Sequence, residues 1–164
     1  MGHYPRVEAL LLGGCAVVIP GQPTRYGWTV TDPRQALDRL HAAAASGELR
    51  ALCRRYGIAL LVAFGSAVRP DSTPRDLDLA VRFTSADPDL LGLLDELGGL
   101  ARTSMIDLMN LGSAGPVARE RALVNAIPLI EESAGEFANA QIAAMMERMD
   151  TAWLRRLDLD LMAR

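Results

Sequence analysis

Residues 61–81 read LVAFGSAVRPDSTPRDLDLAV, and the fold turns on how this stretch divides. Ile58–Phe64 is a continuous apolar run closed by Gly65-Ser66, the pattern of a strand buried on both faces. Asp76–Phe83 (DLDLAVRF) alternates instead. Leu77, Leu79, Val81 and Phe83 point one way, and Asp76, Asp78, Ala80 and Arg82 the other. The nine residues 67–75 leave room for a short helical turn and a loop. A link that short makes the two strands neighbours.

Working outward, Asp32-Pro33 with Gln35 three residues after Asp32 resembles a capping box, and a helix follows with Ala36, Leu37 and Leu40 on its apolar face. Gly47 interrupts it, and a second helix over 48–56, carrying Leu49, Leu52 and Cys53, ends at Gly57. Downstream, Asp87-Pro88 repeats the cap signal for a helix running to Gly98-Gly99. Met105–Leu111 reads as a third strand, Gly115-Pro116 opens a helix to about Ala126, and Pro128–Ile130 is a short strand. From about Gly135 one long amphipathic helix carries Phe137, Ile142, Met145, Met149, Trp153, Leu157 and Leu161. That stripe either covers the sheet or forms a homodimer or partner contact. Glu8–Ile19 reads as strand or buried helix, Arg25–Val30 as a strand, and the whole as a hairpin-like or loosely attached extension. The expected organisation is an N-terminal extension over 1–30, a core over 31–133 and a C-terminal amphipathic helix over 134–164 within the same domain.

Composition narrows the chemistry. The 164 residues suffice for one hydrophobic core, and no apolar run reaches the roughly 20 residues of a membrane helix. The N-terminus lacks the basic start of a signal peptide, so a cytoplasmic location is expected. A net charge of −3 gives no global field favouring nucleic acid. All 17 basic residues are Arg, a composition that a GC-rich genome would also produce. Cys15 and Cys53 have no C-x-x-C partner and read as free buried thiols, and His3 and His41 as surface or tail residues. A histidine-based metal site or a Ser-His-Asp triad therefore has almost no material.

The acids remain. Asp76 and Asp78 share one face of a strand about 7 Å apart, where two like charges repel by roughly 2 kcal/mol at an effective dielectric of 20. Two such acids can simply be hydrated on a solvent face. Held inward they call for a cation, and oxygen-only ligands favour Mg²⁺ or Mn²⁺. A third acid, Asp107, lies in the next strand, in SMIDLMNL. Glu131 and Glu132 read as a solvated strand end, and Tyr26 and Trp28 are weak candidates for stacking a base.

The order strand, Gly-Ser, spacer, D-x-D, strand, Asp resembles the polymerase-beta-type nucleotidyltransferases. It is most similar to the minimal nucleotidyltransferases, which include the MntA-type antitoxins. LVAFGSAVRPDSTPRDLDLAV, IDLMNL and ARERALVNAIPLIEES carry the likeness, over about residues 48–132. The resemblance implies an α/β fold, a small mixed β-sheet with flanking helices. It implies Asp76, Asp78 and Asp107 as metal ligands and catalytic residues, with Asp107 also helping to deprotonate an acceptor hydroxyl. Gly65, Ser66 and Arg69 would contact the triphosphate of ATP. The implied activity is Mg²⁺- or Mn²⁺-dependent transfer of a nucleoside monophosphate, AMP, to a hydroxyl (AMPylation). The implied acceptor is a tyrosine of a HEPN-type toxin in a toxin–antitoxin pair. An aminoglycoside-type small-molecule transferase and a catalytically degenerate binding module are the alternatives. The chain departs from the pattern in two places: relatives read Gly-Ser-Arg-x-Arg-Gly where this chain has Gly-Ser-Ala-Val-Arg-Pro, and Arg75 stands where Ser often precedes the first Asp.

Overall fold

The computed structural model describes residues 11–12, 15–16, 32–85 and 88–162. Strands β1 (Leu11–Leu12), β2 (Cys15–Ala16), β3 (Ile58–Phe64), β4 (Leu77–Phe83), β5 (Ile106–Asn110) and β6 (Ile127–Glu131) form one mixed sheet, ordered β1-β2-β5-β4-β3-β6. Its helices are α1 (Pro33–Ser46), α2 (Glu48–Arg55), α3 (Leu90–Ala101), α4 (Pro116–Val124), α5 (Glu136–Asp150) and α6 (Ala152–Met162). The β4–β5 pair is parallel and the remaining pairs are antiparallel. The α/β expectation holds. The strand expected at Arg25–Val30, and with it Tyr26, Trp28, His3 and Asp87, lies outside the described residues.

Both sheet faces are covered, by helices of different kinds. Leu61, Ala63, Leu77, Leu79, Val81 and Leu108 pack with the apolar sides of α1, α2 and α3. Leu60, Val62 and Ala80 pack with Ala122 and Leu123 of α4 and Ala140 and Ala144 of α5. Central strand β3 is thus buried from Ile58 to Ala63, as a continuous apolar run requires.

Helix ends explain the boundaries. The Asp32 side chain accepts from the Arg34 N–H at 3.0 Å, so the cap contact falls one residue before Gln35. Gly47, at φ +86, ends α1 in the left-handed region that glycine enters without strain. Asp89 caps α3 by accepting from the Gly92 N–H at 2.9 Å, so this helix starts later than Asp87-Pro88 suggested and reaches Ala101.

The C-terminal segment departs from expectation. It is two helices: α5 ends at Asp150 and α6 begins at Ala152, and at Thr151 between them the backbone N–H (3.1 Å) and the hydroxyl (2.7 Å) both donate to the Glu147 carbonyl. The large apolar stripe does not cover the sheet. Ala140 and Ala144 face the core with Phe137 packed beside them, while Met145, Met149, Trp153 and Leu157 are exposed. Small residues let the α5 backbone approach closely, and hydrophobic periodicity weighted towards large side chains picks the wrong side. The Glu131 carboxylate is not merely solvated either: it accepts from the Phe137 N–H at 3.1 Å at the start of α5. Among the described residues, no helix is long and apolar enough to cross a membrane.

The two faces of α5 and the sheet give opposite mutational outcomes. Leu61→Ala should cost about 3 kcal/mol in urea unfolding through cavity formation. Ile142→Ala, on the exposed side of α5, should change stability by less than about 0.5 kcal/mol.

Candidate active site

Residue Asp78 lies in register with Phe64 on β3 and with Asp107 on β5. Leu77, Leu79, Ile106 and Leu108 point into the core beneath α1–α3, so alternation turns Asp76, Asp78 and Asp107 to the opposite face. Further along that face Ala80 is covered by α4 and α5. At the Gly65 end the face is more open, and the three aspartates are all partly buried there. The acids therefore line a half-buried margin of the sheet and not an open solvent face.

Their charges are coupled. Burial, then the Asp76 and Asp107 carboxylates, push the Asp78 carboxyl up to about 6 from its ordinary 3.8, although a hydrogen bond from the Ser66 backbone and the Arg69 charge pull the other way. Burial and then Asp76 also raise the Asp107 carboxyl. Asp107 Oδ1 is buried with no hydrogen-bond partner, an orphaned acceptor of the kind a cation or a donor hydroxyl satisfies. Among the described residues, however, no three His, Cys, Asp or Glu side chains already stand as a metal-holding group. The three aspartates are neighbours by register and by charge, and they are not a preformed cage.

Glycine at 65 has a cause that sequence reading missed. A Cβ there would lie 2.0 Å from Asp78 Oδ2, and Gly65 sits at φ +74. The resemblance gives Gly65 a role in phosphate approach; its nearest constraint in the structure is the Asp78 carboxylate packed onto its backbone. The Ser66 backbone is likewise engaged with Asp78. Residues 65–68 form a turn rather than a helical segment, with the Arg69 N–H donating to the Ser66 carbonyl at 3.3 Å. Arg69 is exposed, and its charge reaches Asp78; Arg75 is also exposed.

Sequence reading also missed Arg34. From the first turn of α1 its Nη2 donates to the carbonyls of Arg69 (2.7 Å), Pro70 (3.2 Å) and Ser72 (2.6 Å). The Ser72 hydroxyl adds bonds to the Ser66 carbonyl and, at 2.8 Å, to that of Arg69. No local spacing announces a contact between residues 35 apart in the chain. Of the other candidates, Cys53 is a free buried thiol pushed up to about 12 by burial, and His41 is exposed.

Two outcomes follow from this packing. Because the folded Asp78 carboxyl binds its proton more tightly than the unfolded one, the metal-free protein should lose stability as pH rises from about 4 to about 6. Asp78→Asn should remove most of that slope and, in EDTA at pH 7, stabilise the protein by about 1 kcal/mol once solvent screening of a half-exposed group is allowed for. Urea melts across pH would show an unchanged slope if the coupling were absent. Gly65→Ala should cost about 2 kcal/mol, from the positive φ and the displaced carboxylate.

No protein-family model matches the chain, and no curated protein matches it by sequence. Solved structures do match it. One is a toxin-antitoxin crystallised with AMP-PNP, 19% identical, with 70% of this chain and 95% of that chain covered at a TM-score of 0.55. Another is the tri-AMPylated Shewanella oneidensis HEPN toxin in complex with MNT antitoxin, 19% identical over 78% of this chain and 98% of that one, at a TM-score of 0.54. A third, the toxin-antitoxin MntA-HepT, is 18% identical over 71% and 95% at a TM-score of 0.52. At such identities the likeness speaks for the fold alone: this chain has the α/β nucleotidyltransferase fold seen in MntA-type antitoxin structures.

Proposed function

We propose that the chain is a metal-dependent nucleotidyltransferase that moves AMP from ATP to a hydroxyl of a protein partner, a tyrosine of a HEPN-type toxin, and so acts as an antitoxin. One observation carries the reading: Asp78 and Asp107 stand in register on adjacent parallel strands, with Asp76 near enough to raise both carboxyls. Solved structures of the same fold include one with AMP-PNP and one with an AMPylated HEPN toxin, which supports the choice of donor and partner.

In this reading Asp76, Asp78 and Asp107 hold Mg²⁺ or Mn²⁺. The orphaned Asp107 oxygen and the mutual repulsion of the acids fit a cation. Such an ion, when bound, neutralises charge on the phosphate oxygens and lowers the pKa of a coordinated hydroxyl. The residues of the chain bind and orient. Arg69 pairs with the triphosphate, and Ser66 offers its hydroxyl to the same oxygens. The acceptor oxygen forms a bond to the α-phosphorus as the bond from that phosphorus to the bridging oxygen breaks. Pyrophosphate leaves, and Asp107 receives the hydroxyl proton. Exposed Met145, Met149, Trp153 and Leu157 offer an apolar surface for the partner chain.

The absence, among the described residues, of a ready metal-holding group favours a second reading, a degenerate module that binds its partner without catalysis.

The two separate on one experiment. Incubated with α-labelled ATP, Mg²⁺ and the HEPN-type product of a neighbouring gene, the protein should add AMP to the partner, detected by mass spectrometry. Asp76→Ala or Asp78→Ala should lower the rate by about 10³-fold, the scale of losing transition-state charge stabilisation. Ser66→Ala should lower it about tenfold or less, the scale of one hydrogen bond. A partner unmodified by any of the four triphosphates, together with no metal-dependent nucleotide binding, would leave the degenerate module.

A further inference from the structure

The link from β3 to β4 carries Ser66 and Arg69 and is not regular structure. Left alone, such a segment samples many conformations, and each residue fixed costs about 1–2 kcal/mol. Here it is fixed from outside. Three of its carbonyl oxygens, those of Arg69, Pro70 and Ser72, converge on the single Nη2 of Arg34. Converging carbonyls repel one another and present negative potential to an anion; a guanidinium between them cancels both effects. Arg34 is itself anchored, because its backbone N–H is the one that the Asp32 cap accepts. The chain thus ties the first turn of α1, whose other residues reach the main core, to a loop beside the aspartates.

We propose that Arg34, with Ser72 as its second clasp, is a positioning residue for nucleotide binding: it holds the 66–72 loop so that Arg69 and Ser66 face the triphosphate. Arg69 is the link, since its carbonyl lies on Arg34 while its side-chain charge acts on Asp78. This inference rests on the nucleotidyltransferase reading above. Arg34 touches no reacting atom in it and acts through the loop alone. Arg69 is the one basic residue within 66–72, so the appeal of that segment to an anion depends on its being held in place.

The test uses the full-length protein and two independent readouts. Hydrogen exchange reads the clasp. In Arg34→Ala the Arg69 amide, bonded to the Ser66 carbonyl, and the Ser66 amide, bonded to Asp78, should exchange at least about tenfold faster, while those of β3 and β4 keep their protection. Titration with ATP and Mg²⁺ reads the consequence. Arg34→Ala should weaken nucleotide binding and raise the KM for ATP by about tenfold, with kcat changed less than about threefold. Ser72→Ala should move both readouts in the same direction by a smaller factor. Arg34→Lys should recover part of the affinity, since an ammonium keeps the charge and donors on a shorter stem. Faster exchange with unaltered ATP affinity, or a loss of kcat at constant KM, overturns the positioning role. Failure of the wild-type protein itself to bind ATP with Mg²⁺ overturns instead the reading on which the role rests.

Discussion

The carboxylate of Asp78 occupies the space where residue 65 would otherwise carry a Cβ, and much of the molecule serves to keep it there. The contact needs β3 to end in a left-handed glycine. It needs β4 to return antiparallel beside β3, so that Phe64 and Asp78 are opposite one another. It also needs β5 to run parallel to β4, which brings Asp107 level with Asp78. A parallel neighbour requires a crossover, and α3 with its flanking loops supplies it.

Holding these acids together opposes folding. Their repulsion is offset by the buried core on the other side of the same strands, where Leu77, Leu79, Leu108 and Leu61 pack against α1–α3. One strand thus carries stability on one face and a charge cluster on the other, with period-two alternation keeping them apart. The loop leading into β4 follows the same logic. Its conformation is set by a side chain from a distant helix, so the geometry near the acids inherits the rigidity of α1.

Much was legible beforehand, for physical reasons that act locally. The run Ile58–Phe64 needs no context to be a buried strand, and DLDLAVRF needs none to be two-faced. Asp32, Gly47 and Pro116 mark helix ends through their own backbone preferences. Contacts set by packing were harder to see. Beyond the partly buried Phe137, the buried positions of α5 are the alanines Ala140 and Ala144, whose weak hydrophobic signal is drowned by Ile142, Met145 and Met149. The division of α5 from α6 falls at Thr151, a residue that carries no glycine or proline signal in the sequence.

The sequence by itself determined the strand alternation that puts Asp76 and Asp78 on one face, the glycine that β3 ends on, and the acid in the third strand, because these follow from dihedral preference and side-chain period. Only the tertiary structure decided that Asp107 stands level with Asp78, that Gly65 makes room for a carboxylate, that the large apolar stripe of α5 and α6 faces outward, and that Arg34 holds the loop. Each of these joins residues far apart in the chain, and their meeting depends on how whole strands and helices pack, a quantity no local pattern contains.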